Sequence, residues 1–188
     1  MRVIAGDFRS RRLKTLPGLE TRPTPDRLRE SLFNILAPRI GGATFLDAYA
    51  GTGAVGIEAL SRGASRVIFI ERSRKAADLI RENLATLGVA ARAEVILGRA
   101  LQYLAHRRAD IVFLDPPYDL DSEYGEALEL LGDTPLVIAQ HATRHPLAET
   151  YGRLTRTRVV KQGDNSLSFF EPAELNSPST QSVIDRQT

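Results

Sequence analysis

The stretch FLDAYAGTGAVG, residues 45–56, decides the fold of this chain. It begins as a short apolar strand, passes through a glycine-rich turn and continues into an apolar helix that Gly63 ends. Glycines in such a turn allow a tight bend and let a ligand approach the backbone. In doubly wound α/β folds, ligands sit at the carboxyl ends of the strands, where the strand order reverses. The stretch therefore predicts a strand–turn–helix unit that holds a ligand.

The sequence on either side of this stretch alternates between strand and helix patterns. Strands are predicted at residues 43–48, 66–71, 93–97, 110–114 and 135–140, and helices at 55–61, 73–87, 101–106 and 122–131. The run RVIFIE at 66–71 is almost continuously apolar, as expected for a strand that is buried on both faces. This alternation predicts a doubly wound parallel sheet with helices on both faces.

The two ends of the chain follow other patterns. Residues 1–23 predict a short basic hairpin or extended arm, followed by a helix that Thr24 caps, that has Pro25 at its first position and that ends near Pro38. Residues 154–162 and 165–171 are β-rich and are joined by Gly163-Asp164, which predicts a closing antiparallel hairpin. We therefore predict an arm with its helix at 1–37, a sheet domain at 38–172 and a flexible polar tail at 173–188.

Composition excludes several classes of protein. The chain has 188 residues, of which 43% are hydrophobic, and it contains no cysteine. Disulfides, cysteine-ligated zinc, iron–sulfur clusters and a cysteine nucleophile are therefore excluded. No apolar stretch approaches the roughly 20 residues that a membrane span requires, and no secretory signal is evident. We expect one cytoplasmic globular domain with no membrane partner.

The positive charge is concentrated at the beginning of the chain. Although the net charge of the whole chain is only +2, the first 29 residues carry eight basic side chains against three acidic ones. A polyanion such as RNA is a plausible partner for such a segment, and an ordinary solvated basic face is the alternative. The predicted RNA contacts are Arg11, Arg12, Arg22, Arg27 and Arg29.

Two carboxylates flank the glycine-rich turn. Glu71 ends the next strand, 20 positions after Gly51, where its carboxylate can accept both hydroxyls of a ribose. The spacing Gly51-x-Gly53-x-x-Gly56 also matches the dinucleotide fingerprint. Asp47, however, would repel a pyrophosphate and would suit the cationic sulfonium and amino group of S-adenosylmethionine. We predict that this cofactor is bound by Asp47, Ala50, Gly51, Thr52, Gly53 and Glu71.

A rigid corner, Asp115-Pro116-Pro117-Tyr118, follows the buried strand at 110–114. Successive prolines fix the backbone and supply no N–H, which leaves the Asp115 carboxylate and the Pro116 carbonyl as acceptors. An exocyclic base amine has two N–H groups to offer them, and Tyr118 could stack on an extruded base. We predict that these four residues are catalytic, and a plain proline-rich turn is the alternative.

These motifs resemble those of the bacterial 16S ribosomal RNA guanine-N2 methyltransferases of the RsmD type over residues 1–171. The similar segments are RVIAG at 2–6 with RRL at 11–13, RPTPDRLRESLFN at 22–34, and residues 47–64. The resemblance implies a seven-stranded Rossmann-like methyltransferase sheet and transfer of a methyl group from S-adenosylmethionine to guanine N2 in 16S rRNA. It also implies that Asp47, Gly51, Gly53 and Glu71 hold the cofactor and that residues 115–118 hold the base.

One position departs from the broader methyltransferase pattern. Where an acidic residue often follows the third strand, this sequence has Gly98-Arg99-Ala100, so we leave Arg99 out of the predicted cofactor set. The expected partner is 16S rRNA or the small ribosomal subunit, and a monomer is expected for an enzyme of this class. No metal is expected, because His141 and His145 lack a third ligand. The alternatives are another amino-directed methyltransferase, a nicotinamide-dependent oxidoreductase and a non-catalytic RNA-binding module.

Overall fold

A mixed β-sheet with helices on both faces forms the body of the protein in a computed structural model, which describes residues 1–15, 26–117 and 122–173. The helices are α1 (Asp26–Ile40), α2 (Ala54–Ser61), α3 (Arg74–Leu87), α4 (Ala100–Leu104) and α5 (Glu123–Leu130). The strands are β1 (Thr44–Asp47), β2 (Arg66–Glu71), β3 (Ala93–Leu97), β4 (Ile111–Leu114), β5 (Leu136–Ala142), β6 (Thr150–Tyr151), β7 (Leu154–Gln162) and β8 (Asn165–Pro172).

The strand order places the glycine-rich stretch at the centre of the sheet. The order is β3-β2-β1-β4-β5-β8-β7-β6; β1 to β5 are parallel, and the last three strands join antiparallel. Asp47, the last residue of β1, pairs with Phe69 of β2 on one side and with Phe113 of β4 on the other. The strand order therefore reverses at β1, and a ligand crevice is expected at its carboxyl end.

Two apolar cores fill the space between the sheet and its helices. Helices α1, α2 and α3 cover one face, where Phe33, Phe45 and Phe69 are fully buried. Helices α4 and α5 cover the other face against residues such as Val112 and Phe170. Because both faces are covered, the parallel strands have buried apolar runs rather than an alternating pattern, which agrees with the prediction for β2.

The structure corrects three details of the prediction. The described part of the chain forms an eight-stranded sheet rather than a seven-stranded one, because the two residues of β6 pair with the start of β7 and are too few to show a period-2 pattern. Helix α1 passes through Pro38 and ends at Ile40. Pro38 is exposed in the last turn, where it disrupts little, while Ile40 is buried. The domain boundary predicted between residues 37 and 38 is wrong because it falls inside this helix.

Helix α3, predicted at residues 73–87, spans Arg74–Leu87 and is capped at both ends. Ser73 caps α3, accepting a hydrogen bond from the amide of Ala76, and Gly88 ends that helix in a left-handed conformation with φ of 73°. The helix start predicted at Thr24-Pro25 lies outside the described residues, as does the tail from residue 174.

No helix in residues 1–15, 26–117 or 122–173 is long and apolar enough to cross a membrane.

The first 13 residues fold back on themselves and pack against the sheet domain. The amide of Val3 donates to the carbonyl of Arg11 at 3.0 Å, and that of Leu13 donates to Met1 at 3.0 Å. Val3 and Leu13 are buried in the same core as α1 and β1. We call residues 1–13 the N-terminal arm; it is part of the main core and not a separate unit.

A buried carboxylate on α2 attaches the N-terminal arm. Glu58 is fully buried and accepts the backbone amides of Ile4 at 2.8 Å and Ala5 at 3.0 Å. It also accepts the Nε of Arg62 at 2.8 Å. An ionised carboxylate without partners could not remain buried here, so the amides and the arginine stabilise Glu58 while Glu58 fixes the path of the arm.

Gly6 lets the arm approach α2 closely, and this allows a matched test. Gly6 and Gly42 have φ of 79° and 77°, but a Cβ on Gly6 would lie 1.9 Å from the Ser61 carbonyl oxygen, whereas one on Gly42 meets nothing within 4 Å. We expect Gly42→Ala to cost about 1–2 kcal/mol in the free energy of unfolding, for the left-handed backbone alone. Gly6→Ala should cost clearly more, because the arm must move away from α2.

Urea unfolding measures both costs, and limited trypsin digestion at Arg9, Arg11 and Arg12 reports whether the arm has been released. Equal costs for the two variants, with unchanged digestion of the arm, would contradict the close approach of Gly6 to Ser61.

Candidate active site

A cavity of about 400 Å³ opens at the carboxyl ends of β1 to β4. Its walls come from the turn after β1, from the ends of β2 and β3, and from the corner after β4. The lining residues include Asp47, Tyr49, Ala50, Gly51, Thr52, Glu71, Arg72, Ser73, Gly98, Arg99, Ala100, Asp115, Pro116, Pro117 and Glu123. The glycine-rich turn and the Asp-Pro-Pro corner therefore share one cavity.

The glycines of the turn have different structural roles. Gly51 and Gly53 have φ of 54° and 77°, so both occupy the left-handed region that favours glycine. Gly53 caps α2 and is packed under Ile80 rather than lining the cavity. Gly56 lies against β2, where a Cβ would come within 2.2 Å of the Phe69 ring. The turn therefore brings residues 50–52 to the cavity wall, and the missing side chain of Gly56 lets α2 pack closely on the sheet.

Glu71 links the end of β2 to the glycine-rich turn. Its Oε2 accepts the amide of Gly51 at 2.7 Å, and its Oε1 accepts the amide of Ser73 at 2.7 Å. The side chain is half-buried and lines the cavity. A carboxylate has about four lone-pair sites, so each oxygen can accept one further hydrogen bond from a ligand hydroxyl.

Asp47 is a buried acid beneath the turn. It is 2% exposed, and its Oδ2 accepts the amide of Gly56 at 3.0 Å. Burial raises the pKa of Asp47 to about 7, assisted by the nearby charges of Asp115 and Glu71 and opposed by the Gly56 hydrogen bond. Asp47, Glu71 and Asp115 are three of the acids that line this cavity, and together they favour a cationic ligand.

The corner after β4 is placed beside the turn by strand pairing. The amide of Ala48 donates to the carbonyl of Phe113 at 3.0 Å, which continues the β1–β4 contact up to the cavity. Asp115 is half-buried, Pro116 is buried and Pro117 is exposed. Tyr118 lies outside the described residues, so its predicted stacking role stays a prediction.

Sequence reasoning missed a polar cluster in the cavity wall. The Tyr49 hydroxyl donates to Glu123 Oε2 at 2.8 Å, and Arg99 Nη2 lies 3.2 Å from Glu123 Oε1. Burial and the bond to Glu123 raise the pKa of Tyr49 well above its usual value, so the phenol remains a donor. These residues come from three separate segments, and no local motif in the sequence links them.

The predicted RNA contacts separate into exposed and buried residues. Arg11, Arg12 and Arg27 are exposed, and Arg22 lies outside the described residues. Arg29 is only 1% exposed, and its Nη2 donates to the Arg2 carbonyl at 3.0 Å and to Asp26 at 2.9 Å. The prediction that Arg29 contacts RNA is therefore wrong.

The helical spacing contained the signal for the burial of Arg29. Counting four, seven and eleven positions on from Arg29 gives Phe33, Leu36 and Ile40, which all lie on the buried face of α1. Arg29 stands on the same face, and its guanidinium binds the arm through the carbonyl of Arg2.

The two histidines that are four residues apart do not form a metal centre in the structure. His141 has its Nε2 2.9 Å from the Ser168 hydroxyl and its Nδ1 3.0 Å from the carbonyl oxygens of Ala142 and His145. Within the described ranges, no group of three or more metal-ligating side chains occurs.

The chain is similar to a protein family and to several named proteins. The family model described as Conserved hypothetical protein 95 matches residues 1–171. The Bacillus subtilis protein named "Putative rRNA methyltransferase YlbH" is 37% identical over 185 residues, covering 91% of this chain and 98% of that protein. Ribosomal RNA small subunit methyltransferase D of Escherichia coli K12 is 45% identical over 120 residues, covering 63% of this chain and 60% of that protein.

Among solved structures, the one titled "Putative methyltransferase yhhF from Escherichia coli" superposes with a TM-score of 0.81 at 36% identity. The superposition covers 92% of this chain and 97% of that one.

The raised pKa of Asp47 predicts a pH-dependent stability. Between about pH 4 and 7 the folded chain keeps a proton on Asp47 that the unfolded chain releases, so the free energy of unfolding falls as the pH rises through this window. One such group contributes at most about 1.4 kcal/mol per pH unit. Asp47→Asn should remove this contribution and flatten the decline.

Urea unfolding at intervals from pH 4.5 to 7.5 measures the decline, with Asp78→Asn on the exposed side of α3 as the matched control. If the curves of the wild type and of Asp47→Asn ran parallel, Asp47 would not hold a proton in the folded state.

Proposed function

This chain belongs to the Conserved hypothetical protein 95 family, and from its likeness to proteins named as ribosomal RNA methyltransferases we propose that it is an S-adenosylmethionine-dependent methyltransferase of small-subunit ribosomal RNA. Its target is the exocyclic N2 of a guanine. It acts as a monomer in the bacterial cytoplasm, on 16S rRNA or on the small ribosomal subunit. The observation that carries the proposal is the single cavity shared by the glycine-rich turn and the Asp115-Pro116-Pro117 corner.

The residues of the cavity fit S-adenosylmethionine. Asp47 and Glu71 lie beside the turn, where a bound sulfonium would favour the ionised form of Asp47 and a pyrophosphate would be repelled. Glu71 has acceptor capacity for ribose hydroxyls, and residues 50–52 of the cavity wall can lie against the amino-acid part. The volume of about 400 Å³ lies within the range of cofactor pockets. When bound, S-adenosylmethionine supplies a methyl group that is already activated on its sulfonium.

The chain then has to orient the acceptor amine. The Asp115 carboxylate and the Pro116 carbonyl are the acceptors at the corner, and the two prolines keep them fixed. Two acceptors matched to two N–H groups direct the nitrogen lone pair toward the methyl donor. The Asp115 carboxylate also stabilises the positive charge that develops on the amine. No metal and no covalent enzyme intermediate is required.

The N-terminal arm carries the RNA contact. Arg11 and Arg12 are exposed on an arm that Glu58 holds against α2, the helix that leaves the glycine-rich turn. Arg27 is exposed at the start of α1, where a helix N-terminus also favours phosphate. Phosphate contacts of this kind position a nucleic acid without reading its sequence.

Nucleoside mass spectrometry of rRNA tests the proposed reaction. Cells that lack the gene should lose one N2-methylguanosine from 16S rRNA, and the wild-type gene should restore it. Asp115→Ala should lower turnover by about 10²–10³-fold, as for the loss of one charge-stabilising group, while binding S-adenosylmethionine with nearly wild-type affinity by calorimetry.

Loss of N6-methyladenosine instead would show that the target base is adenine. An unchanged nucleoside profile would refute the proposed substrate, and unchanged turnover would exclude Asp115 from the reaction.

Salt dependence tests the role of the arm. Replacing Arg11 and Arg12 by glutamine should weaken RNA binding and lower the slope of log affinity against log salt by about 0.7–0.9 for each phosphate that the arm no longer neutralises. The control replaces Arg107 and Arg153, which lie outside the N-terminal arm and precede β4 and β7. Fluorescence anisotropy with a 16S rRNA fragment at several salt concentrations measures both slopes. The arm is not the RNA footprint if both double variants give the same slope.

A further inference from the structure

The reaction proposed above assigns no role to Glu123, a carboxylate in the cavity wall. Four described acids line the cavity: Asp47, Glu71, Asp115 and Glu123. The first lies under the turn, the second faces the ribose position and the third belongs to the corner. Glu123 comes from α5, is 7% exposed and lines the cavity.

Two side chains hold the Glu123 carboxylate in place. Its Oε2 accepts the Tyr49 hydroxyl at 2.8 Å, and its Oε1 lies 3.2 Å from Arg99 Nη2. Tyr49 follows β1 and Arg99 follows β3, so two separate segments of the cavity wall hold the carboxylate. These contacts use two of about four lone-pair sites on the carboxylate, which leaves acceptor capacity toward the cavity.

The order of the strands indicates which part of a ligand Glu123 faces. The ends of β4, β1, β2 and β3 follow one another across the sheet. Asp115 marks the reacting end at β4, and Glu71 marks the ribose at β2. A base attached to that ribose therefore extends toward β3, where Gly98, Arg99 and Ala100 line the same cavity. The bond between Arg99 and Glu123 connects the carboxylate to this side of the cavity.

We propose that Glu123, held by Tyr49 and Arg99, accepts a hydrogen bond from the exocyclic amine of the cofactor's adenine and so selects adenine. Adenine presents a donor at this position, whereas hypoxanthine presents a carbonyl oxygen that a carboxylate repels. The inference rests on the proposed function because it takes S-adenosylmethionine as the ligand. It assigns Glu123 to cofactor binding rather than to methyl transfer.

Calorimetry with two ligands tests the assignment on the full chain. The ligands are S-adenosylhomocysteine and S-inosylhomocysteine, which differ only in this amine and the adjacent ring nitrogen. The wild type should prefer the adenine compound by tenfold or more, as expected when a buried charged acceptor loses its donor. Glu123→Gln should reduce that preference at least about tenfold, because the amide of glutamine can donate to the hypoxanthine oxygen.

Glu129→Gln is the matched control. Glu129 stands on the exposed side of α5, outside the cavity, and its replacement should leave the preference unchanged. Thermal unfolding of the unliganded proteins checks that both variants are folded.

Every other outcome contradicts either the role of Glu123 or the proposed function. A Glu123→Gln variant that binds both ligands more weakly by the same factor, or binds both as before, would overturn the assignment and leave the proposed function standing. A wild type without preference for adenine would do the same, even if the variant failed to fold. A wild type that binds neither compound would overturn the proposed function itself.

Discussion

The hydrogen bond between the Asp47 carboxylate and the Gly56 amide is the contact on which the site depends. It joins the end of the central strand to the helix that leaves the glycine-rich turn, and so fixes the shape of the turn between them. The same acid is buried beside two further carboxylates, which raises its pKa to about 7. Asp47 therefore serves two purposes: it holds the backbone in place, and it supplies a charge that a cation can stabilise.

The surrounding structure is arranged to support this strand end. Parallel pairing with β2 and β4 brings Glu71 to one side of the turn and Asp115 to the other. Helix α2 is held close to the sheet because Gly56 has no side chain to separate it from Phe69. On its far side, Glu58 binds the N-terminal arm. The N-terminal arm and the glycine-rich turn thus meet on one helix, α2.

Much of this could be predicted from the sequence, because the determining signals are local. The apolar runs, the glycine spacing and the Asp-Pro-Pro corner each lie within a few residues of one another. Strands β1 to β5 were predicted to within two residues at each end. The prediction that Arg29 contacts RNA was wrong because it rested on the charge of the side chain. Its position in the helical period already placed it on the buried face of α1.

The sequence by itself determined the order of the elements, the glycine-rich turn and the acids on either side of it, because hydrophobic period, turn chemistry and strand-end position act over short distances along the chain. The tertiary structure decided what lies between these elements. It brought Tyr49, Arg99 and Glu123 together, added β6 to the edge of the sheet and buried Arg29 under the arm. Such contacts join residues that are far apart along the chain, and they form only once the crossovers and side-chain packing have set the distances between helices and strands.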